Sequence, residues 1–530
     1  MSSDRLRWLL LGVAAVVLVV HSLAYNFVTD DAYISFVFSR NFAEHGQLSF
    51  NLGQPVEGYT NFLWTIILGA LMVVGISPEI SSRVLGTACA LATLYVVFRS
   101  CERAFERPTW FATLPALLLA CSAGFACWTS GGLETQLFTL LVAIAIDGVV
   151  ASEHDDKAMR RVAIALALAA MTRPEGLLVA AVLGVARLSS NVVAKRWLTR
   201  RDLIAAAIFL VIWAPWFAWR WNYYHYKFPN TYYVKADGPW VDPKMAAQMA
   251  ATGRYYLWSW LTQTRLIWGL PLVAIGIATV KPRTPRFVLV VACTLLAVVY
   301  LGYAASVGGD FMGLHRFIMP VFVAAAILAV LGIEWIAGKV NHSTVPIAVA
   351  LVVGGFASTQ FVLTRASIAS CANRVCGNDH GIDSPAFLMV YTDDRAAIGR
   401  AMESCFRPDD FSIVGGAGAQ PYYGRMRGID VFGLVSEKIA HEMPRSNPRP
   451  GHTKWGSDAI LASYDPDFVF SCYQLHRGPL SPPLPCNTGF WLSRGFEQVT
   501  MLIPDLAERG QFYTFLAKKK RRFECPGRIR

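Results

Sequence analysis

The sequence predicts an integral membrane protein built from α-helices, with a smaller α/β domain at its C-terminal end. Of its 530 residues, 54% are hydrophobic and 16% are charged, and the mean hydropathy is +0.40, which is more apolar than a typical soluble domain. Apolar runs of membrane-spanning length follow one another through residues 1–363. Residues 364–530 contain more Pro, Gly and charge and have no such run. We therefore expect two domains that meet at this boundary.

The charge balance indicates which surfaces the protein contacts. The chain has 48 Lys and Arg against 36 Asp and Glu, a net charge of +12. In a membrane protein such an excess usually lies in cytoplasmic loops that face anionic lipid. No basic run is interleaved with stacking aromatic residues, so the lipid bilayer is the expected partner and a nucleic acid is not.

The loop charges predict the topology. Arg5 and Arg7 precede the first apolar run, residues 8–25, and place the N-terminus in the cytoplasm. A cleaved signal peptide ending at SLA before Tyr25 is the alternative, and we favour an uncleaved helix. An alternating count of about eleven transmembrane helices puts the basic loops inside, at residues 99–108, 153–161, 195–201 and 281–286. The same count places the whole C-terminal domain and the remaining loops outside the membrane, at residues 26–83, 129–133, 222–263 and 306–316.

Two apolar stretches do not fit a simple span. Residues 61–76 would invert this count if they crossed the bilayer, so we expect interfacial helices in the first outer loop, with Trp64 at the headgroup level. Residues 162–187 carry Arg173, Pro174 and Glu175 at their centre. Each half has about a dozen residues, about 18 Å of helix, which is too short to span. We expect a short broken pair with Arg173 and Glu175 facing a cavity.

The C-terminal region predicts an extracytoplasmic α/β domain with disulfides. FSIVGGAGAQPYYG and DFVFSCY are typical of short strands, and SPAFLMVYTDDRAAIGRAM combines a strand-like run with helical periodicity. An even number of cysteines in an outer domain favours disulfides. Zinc is the weaker alternative because no C-x₂-C pair occurs. The cysteines are Cys371, Cys376, Cys405, Cys472, Cys486 and Cys525.

The residues that carry chemistry lie at the predicted outer ends of the spans. Asp30 and Asp31 follow the first span, and such carboxylates are rare near membrane segments without a function. Cations at this level could neutralise the phosphate of a lipid as it leaves, and a carboxylate could accept the proton of an incoming hydroxyl. The other candidates are Glu57, Asn61, Glu134, Arg173, Glu175, Lys235, Asp310, His315 and Arg316.

Each candidate also has a purely structural interpretation. Arg316, at the entrance of a span, could simply extend its charged group to the membrane surface without contacting a phosphate. Glu134 could cap the helix that follows it, and His315 could be a buried structural histidine. Lys235 could be a solvated loop residue, and Asp31 an acid at the start of an interfacial helix. For the aspartate pair we favour catalysis. The pair is not a metal-ligand set, so no metal ligand is assigned, although Mg²⁺ or Mn²⁺ bridging carboxylate and phosphate remains open.

Several motifs along nearly the whole chain resemble a known family. DDAYISFVFSRNFAEHGQLSFNLGQPVEGYTNFLWT, GGLETQLF, TRPEG, PNTYYVK and VGGDFMGLHRFIMP are followed in the C-terminal domain by GAGAQPYYG, DVFGLVSEKIA and GHTKW. Their order resembles membrane glycosyltransferases of the GT-C fold, which use polyprenyl-phosphate sugars. More narrowly, it is similar to the mycobacterial terminal β-(1→2)-arabinofuranosyltransferase group and its bacterial relatives.

This resemblance implies a GT-C-like fold and a pentosyltransferase. It implies a donor of the decaprenyl-phospho-arabinofuranose type, a cell-envelope glycan or glycolipid acceptor, and an active site facing the periplasm from the bacterial cytoplasmic membrane. Asp30 or Asp31 would be the catalytic carboxylate, with Arg173, Lys235 and Arg316 near the phosphate. Tyr232, within PNTYYVK, would contact substrate. An inverting and a retaining reaction both remain open.

Other functions stay open at this point. Related enzymes add sugars to lipopolysaccharide or protein. A transporter or flippase for a lipid-linked saccharide would show inverted repeats with broken helices at corresponding positions, whereas the sequence shows one broken pair. A scaffold whose outer domain binds partners would need neither aspartate.

Overall fold

The computed structural model describes residues 3–106, 109–152, 155, 157–235, 243–341, 343–369, 378–506 and 510–529. A helical region comes first and a sheet-containing domain follows it. The helices of the first region are α1 Ser3–Leu23, α2 Asp30–His45, α3 Phe62–Val73, α4 Pro78–Ala104, α5 Leu114–Cys121, α6 Ala123–Ser130, α7 Thr135–Ala151, α8 Ala158–Thr172, α9 Glu175–Val193, α10 Arg200–Tyr224, α11 Asn230–Lys235, α12 Pro243–Gln263, α13 Leu270–Ala278, α14 Pro285–Ser306, α15 Met319–Ala337 and α16 Val345–Ser367.

The helical region is a multi-pass membrane bundle, as predicted. Among the described residues, seven helices are long and apolar enough to cross a membrane: α1, α4, α9, α10, α14, α15 with the 3₁₀ turn before it, and α16. Two further pairs are bent by 64° (α5 and α6) and 79° (α12 and α13), which gives up to nine spans if each pair is one. The number is below the expected eleven because these apolar runs are broken and α7 has only 17 residues.

The loops predicted to share a side do contact one another. At one end of the bundle, Arg7 pairs with Glu102 and Lys281 with Glu106. Arg283 donates to the carbonyl of Val193 from the same end. The opposite helix ends surround the cavity described below. The alternation of loops is therefore as expected, and the assignment of the basic end to the cytoplasm rests on loop charge.

The pair α8 and α9 is the predicted hairpin, but one arm is longer than expected. Arg187, near the end of α9, donates to Ser152, which precedes α8, so the two helices run antiparallel. They meet at Arg173 and Pro174. The prediction of two arms of about a dozen residues was wrong, since α8 has 15 residues and α9 has 19. The helix α9 is by itself long enough to span.

The first outer loop contains two helices too short to span, as predicted. The 12 residues of α3 measure about 18 Å at 1.5 Å per residue. The expectation for Trp64 was wrong. Its side chain is buried, and its indole Nε1 donates to the carbonyl of Gly132. It therefore fixes α3 to the loop before α7 instead of facing lipid headgroups.

The C-terminal domain is an α/β unit. Its helices are α17 Pro385–Met402, α18 Ala419–Tyr423, α19 Glu437–Glu442, α20 Asp458–Ala462 and α21 Thr488–Leu492. Its strands are β1 Asn378–Asp379, β2 Ile382–Asp383, β3 Ser412–Val414, β4 Gly428–Asp430, β5 Phe468–His476, β6 Phe496–Leu502, β7 Phe512–Lys518 and β8 Arg528–Ile529. The main sheet has the order β4-β3-β5-β7-β6-β8. Its β3 lies parallel to β4 and β5, and the other pairs are antiparallel.

The sequence located parts of this domain correctly. The predicted strand in DFVFSCY, residues 467–473, is β5. In FSIVGGAGAQPYYG, residues 411–424, only Ser412–Val414 form a strand, β3, and the expectation for the second half was wrong because Ala419–Tyr423 form the helix α18. The strand-like SPAFLMV is helical, because Ser384 caps α17 by accepting from the Phe387 backbone. Disulfides join Cys405 to Cys525 and Cys472 to Cys486. The other two cysteines, Cys371 and Cys376, lie outside the described residues.

One glutamine side chain forms hydrogen bonds to the backbone at both helix breaks, between α5 and α6 and between α12 and α13. Gln360 of α16 is fully buried. Its Oε1 accepts from the Ala123 backbone N–H at 3.1 Å, where α5 breaks from α6. Its Nε2 donates to the Thr264 carbonyl at 2.9 Å, where α12 ends. Backbone groups freed at membrane depth must find partners inside the protein, and this side chain supplies one at each break.

We expect Gln360→Leu to destabilise the bundle. The change leaves one buried donor and one buried acceptor without partners, which costs about 2–4 kcal/mol. The apparent Tm of the purified protein in detergent should fall by several degrees. The exposed Ser358→Leu on the same helix is the matched control and should melt like the wild type. Equal melting of both variants would mean that the breaks do not depend on this side chain.

Candidate functional site

Most of the predicted site residues line one cavity at a single end of the bundle. Its volume is about 230 Å³. The start of α2, the loop before α3, the α8–α9 turn, α11 and the loop after α14 surround it. The predicted residues that line it are Asp31, Asn61, Glu134, Arg173, Glu175, Tyr232, Lys235, Asp310 and Arg316.

Arg173 organises one wall of this cavity. Its guanidinium donates to Glu134 at 2.8 Å and to Glu175 at 3.2 Å. Asn61 donates to the second oxygen of Glu134 at 2.9 Å. Glu134 makes no side-chain capping hydrogen bond at α7. Burial opposes ionisation of Glu134, but the charges of Arg173 and Arg316 and the hydrogen bonds to the carboxylate together outweigh it, so the pKa is lowered.

Arg316 forms the facing wall. Its Nε donates to Asp310 at 3.1 Å, and its side chain is 12% exposed. Its guanidinium carbon lies 5.5 Å from the centre of the Trp128 ring. The side chain is thus turned into the protein and does not snorkel along the surface.

Lys235 differs from both arginines. It ends α11 and lines the cavity, and no carboxylate of the described residues forms an ion pair with it. Its charge nevertheless stabilises ionised Asp31. Tyr232, three residues earlier, lies beside it in the cavity and stacks on Phe228 with ring centres 4.4 Å apart.

The two neighbouring aspartates have different surroundings. Successive residues of a helix point about 100° apart, and here they diverge. Asp31 faces the cavity, whereas Asp30 accepts a hydrogen bond from the Ala419 backbone N–H at 2.8 Å. A side chain at position 418 would overlap Asp30, so glycine is required for this approach. Through Asp30 the C-terminal domain is therefore hydrogen-bonded to α2.

Burial raises the pKa of both carboxyl groups. The pKa of Asp30 reaches about 7, with the Ala419 hydrogen bond acting in the opposite direction. The pKa of Asp31 is also raised by burial, and Lys235 and Arg316 oppose this rise. A raised pKa makes a carboxylate a stronger proton acceptor.

A second cavity of about 210 Å³ adjoins the first. Asp31, Lys235 and Gly451 are among the residues that line both. Its other walls come mainly from the C-terminal domain. None of these residues was predicted as a site residue from the sequence, although His452 lies in the GHTKW motif and Phe432 in DVFGLVSEKIA. They include Asp383, Tyr391, Phe432, Arg449 and His452.

Two predicted residues lie outside both cavities. Glu57 is buried against Arg220 of α10, with Oε2 2.5 Å from Nη2, and burial raises its pKa to about 7 despite this pair. His315 is buried, and its Nε2 lies 2.9 Å from Ser259 Oγ. The structure thus gives both residues packing and bonding partners away from the predicted site.

The donor set does not fit a resident divalent cation. In the described parts of the chain, no three His, Cys, Asp or Glu side chains come together as metal ligands. The carboxylates of Glu134, Glu175 and Asp310 are instead paired with arginines. Bound Mg²⁺ or Mn²⁺ therefore stays an untested expectation, and no chemical step below depends on it.

Solved structures share this architecture. The chain resembles ArnT from Cupriavidus metallidurans in the apo state, with a TM-score of 0.58, 14% identity, and coverage of 97% of this chain and 98% of that one. For the same protein bound to undecaprenyl phosphate, the TM-score is 0.55 at 15% identity, covering 82% and 88%. The fold is that of ArnT. The predicted GT-C-like fold is thereby confirmed.

A second protein of known structure has a similar fold. The apo Archaeoglobus fulgidus oligosaccharyltransferase matches with a TM-score of 0.51 at 10% identity, over 79% of this chain and 64% of that one. No family model matches the sequence, and no curated protein is similar to it. At these identities the likeness to ArnT and to the oligosaccharyltransferase concerns the fold.

We expect Asp30 to make stability depend on pH. Its pKa is about 7 when folded and about 3.9 in an unfolded chain. The folded state therefore holds an extra proton between these values, and stability falls as pH rises through this window. Asp30→Asn keeps an acceptor for Ala419 and should flatten the fall in apparent Tm between pH 4 and pH 7. The exposed Asp409→Asn should retain the wild-type slope, and an unchanged slope in Asp30→Asn would refute the assignment.

Proposed function

We propose that this protein is a membrane glycosyltransferase that transfers a sugar from a polyprenyl-phosphate donor to a hydroxyl group of an envelope glycan. The observation that carries the proposal is the position of Asp31. This partly buried carboxylate borders two adjoining cavities, and the first contains cations suited to a phosphate. A transfer reaction needs a donor and an acceptor on either side of one reacting centre.

The first cavity suits the donor phosphate. A sugar phosphodiester carries one negative charge, and cleavage of its C1–O bond leaves a polyprenyl phosphate monoester that gains a second. Lys235 lacks a carboxylate partner among the described residues, and Arg316 has a single one, Asp310, there. Arg173 is held by two carboxylates. Lys235 and Arg316 would therefore neutralise the developing charge, while Arg173 holds the wall in place. The undecaprenyl phosphate bound by ArnT supports this donor class.

Asp31 is the proposed general base. The acceptor oxygen forms a bond to C1 of the sugar as the bond from C1 to the phosphate oxygen breaks, and the hydroxyl proton passes to the Asp31 carboxylate. The same negative charge stabilises oxocarbenium character at C1. Asp30 is a positioning residue, because its oxygen is occupied by Ala419.

The identity of the donor sugar rests on the sequence motifs. We propose a pentose donor, with arabinofuranose as the sugar, on the strength of the resemblance described above. The basic loops at the far end of the bundle favour a cavity that opens outside the cytoplasmic membrane. The two disulfides of the C-terminal domain favour the same side, since they persist in oxidising compartments.

Replacing the proposed base tests the activity. We expect Asp31→Asn to lower turnover by about 10²- to 10⁴-fold, with unchanged melting, in membranes supplied with radiolabelled polyprenyl-phospho-arabinose and an envelope glycan extract. Asp30→Asn should lose less. Asp393→Asn, an exposed member of another adjacent aspartate pair in the C-terminal domain, is the matched control. Full turnover by Asp31→Asn would refute the role of this residue. Transfer from a different polyprenyl-phosphate sugar would change only the sugar, and movement of the lipid without transfer would favour a transporter.

Replacing Lys235 tests the donor site. Because Lys235 would contact charge that grows as the phosphate leaves, we expect Lys235→Met to lower kcat/KM for the donor by about 10- to 100-fold. The exposed Lys227→Met, eight residues earlier, removes the same charge outside both cavities and should behave as the wild type. An equal effect of the two substitutions would indicate general surface electrostatics instead of phosphate binding.

A further inference from the structure

The second cavity is built largely by the C-terminal domain and has features of a ligand site. Arg449 donates to Asp383 at 2.7 Å. The Nε of Arg449 is shielded from solvent and makes no hydrogen bond within the described part of the chain. Arg449 and Asp383 both line the cavity, so the polar atoms of this pair that face it can bond to a hydroxyl group there.

His452 supplies an acceptor in the same cavity. Its ring is packed edge-on between Phe311 and Phe432, with ring centres 4.7 and 4.5 Å away. Its Nδ1 lies 3.1 Å from the carbonyl oxygen of Pro450, which can only accept, so Nδ1 carries the proton. Burial lowers the pKa of His452 to about 4, and the ring is neutral near pH 7. Nε2 therefore presents a lone pair.

The charges of this cavity do not suit an anion. Asp383 and Arg449 neutralise each other, and Asp30 and Asp31 add carboxylates against the one ammonium of Lys235. Aromatic rings form much of the remaining wall, including Phe311 and Phe432. Fixed donors and acceptors beside aromatic faces match a neutral ring that carries hydroxyl groups.

We propose that the second cavity is the acceptor subsite and that it selects a neutral, hydroxyl-bearing sugar ring over a phosphorylated or uronic-acid one. The proposal rests on the proposed function, because it takes Asp31 as the base reached from this side. His452 and the Asp383–Arg449 pair would orient the ring so that one hydroxyl meets Asp31.

A binding measurement separates this proposal from the activity itself. The full-length protein in nanodiscs is mixed with the neutral disaccharide lactose or with its uronic-acid counterpart, lactobiouronic acid, and saturation-transfer NMR reports the bound sugar. His452→Phe keeps the packing and removes the acceptor atom, and Asp383→Asn breaks the ion pair with little change in shape. His476→Phe, in β5 away from both cavities, is the matched control. We expect each cavity variant to weaken lactose binding about tenfold and His476→Phe to bind as the wild type.

The kinetic test compares the KM for the acceptor with the KM for the donor in each variant. With the labelled donor, the cavity variants should raise the KM for the acceptor about tenfold and change the KM for the donor much less. Equal binding by all variants, preference for the uronic acid, or absence of neutral-sugar binding would overturn the proposal. If no polyprenyl-phosphate sugar is turned over but the binding pattern holds, the transferase assignment fails and the sugar subsite stands.

Discussion

Compensation of buried charge at one end of the bundle is the constraint on which the rest of this structure depends. Removing one partner of a buried ion pair leaves an uncompensated charge and costs about 3–5 kcal/mol. Arg173, in the α8–α9 turn, forms an ion pair with Glu134 before α7. Asn61, at the start of α3, donates a hydrogen bond to the same carboxylate. Loops from distant parts of the chain are therefore fixed before any substrate arrives. Fixed dipoles and charges stabilise a transition state without reorganising.

The same burial of charge also joins the two domains at the site. Asp30 is buried under the Gly418–Ala419 backbone of the C-terminal domain, and its neighbour Asp31 points into the bundle. One turn of helix thus carries both the domain contact and the reactive carboxylate. Displacing the C-terminal domain would expose Asp30 to water, change the field at Asp31 and remove most of the second cavity. The domain is in this sense part of the site.

The sequence predicted most of the first cavity because ionisable residues beside apolar runs are costly and conspicuous. It could not distinguish Asp30 from Asp31, since that difference arises from a loop almost 400 residues away in sequence. It did not predict the ion pair of Glu57 with Arg220, because Arg220 lies within the apolar helix α10, where the hydrophobic pattern hides it. Asp383, Arg449 and His452 come from an ordinary polar domain, where such residues are common. Only folding brings them beside Asp31.

The two sides of Asp31 differ in a way that suits opposite chemical tasks. The donor side must accept a growing negative charge, and it holds Lys235 without a carboxylate partner in the described chain. The acceptor side must hold a neutral hydroxyl until its proton leaves, and there Arg449 is already matched by Asp383. Lys235 lines both cavities, whereas Arg173 and Arg316 line only the first. A second unpaired cation on the acceptor side would stabilise an acceptor alkoxide but would also attract the donor phosphate. Pairing Arg449 therefore keeps the phosphate in the first cavity and leaves proton removal to Asp31.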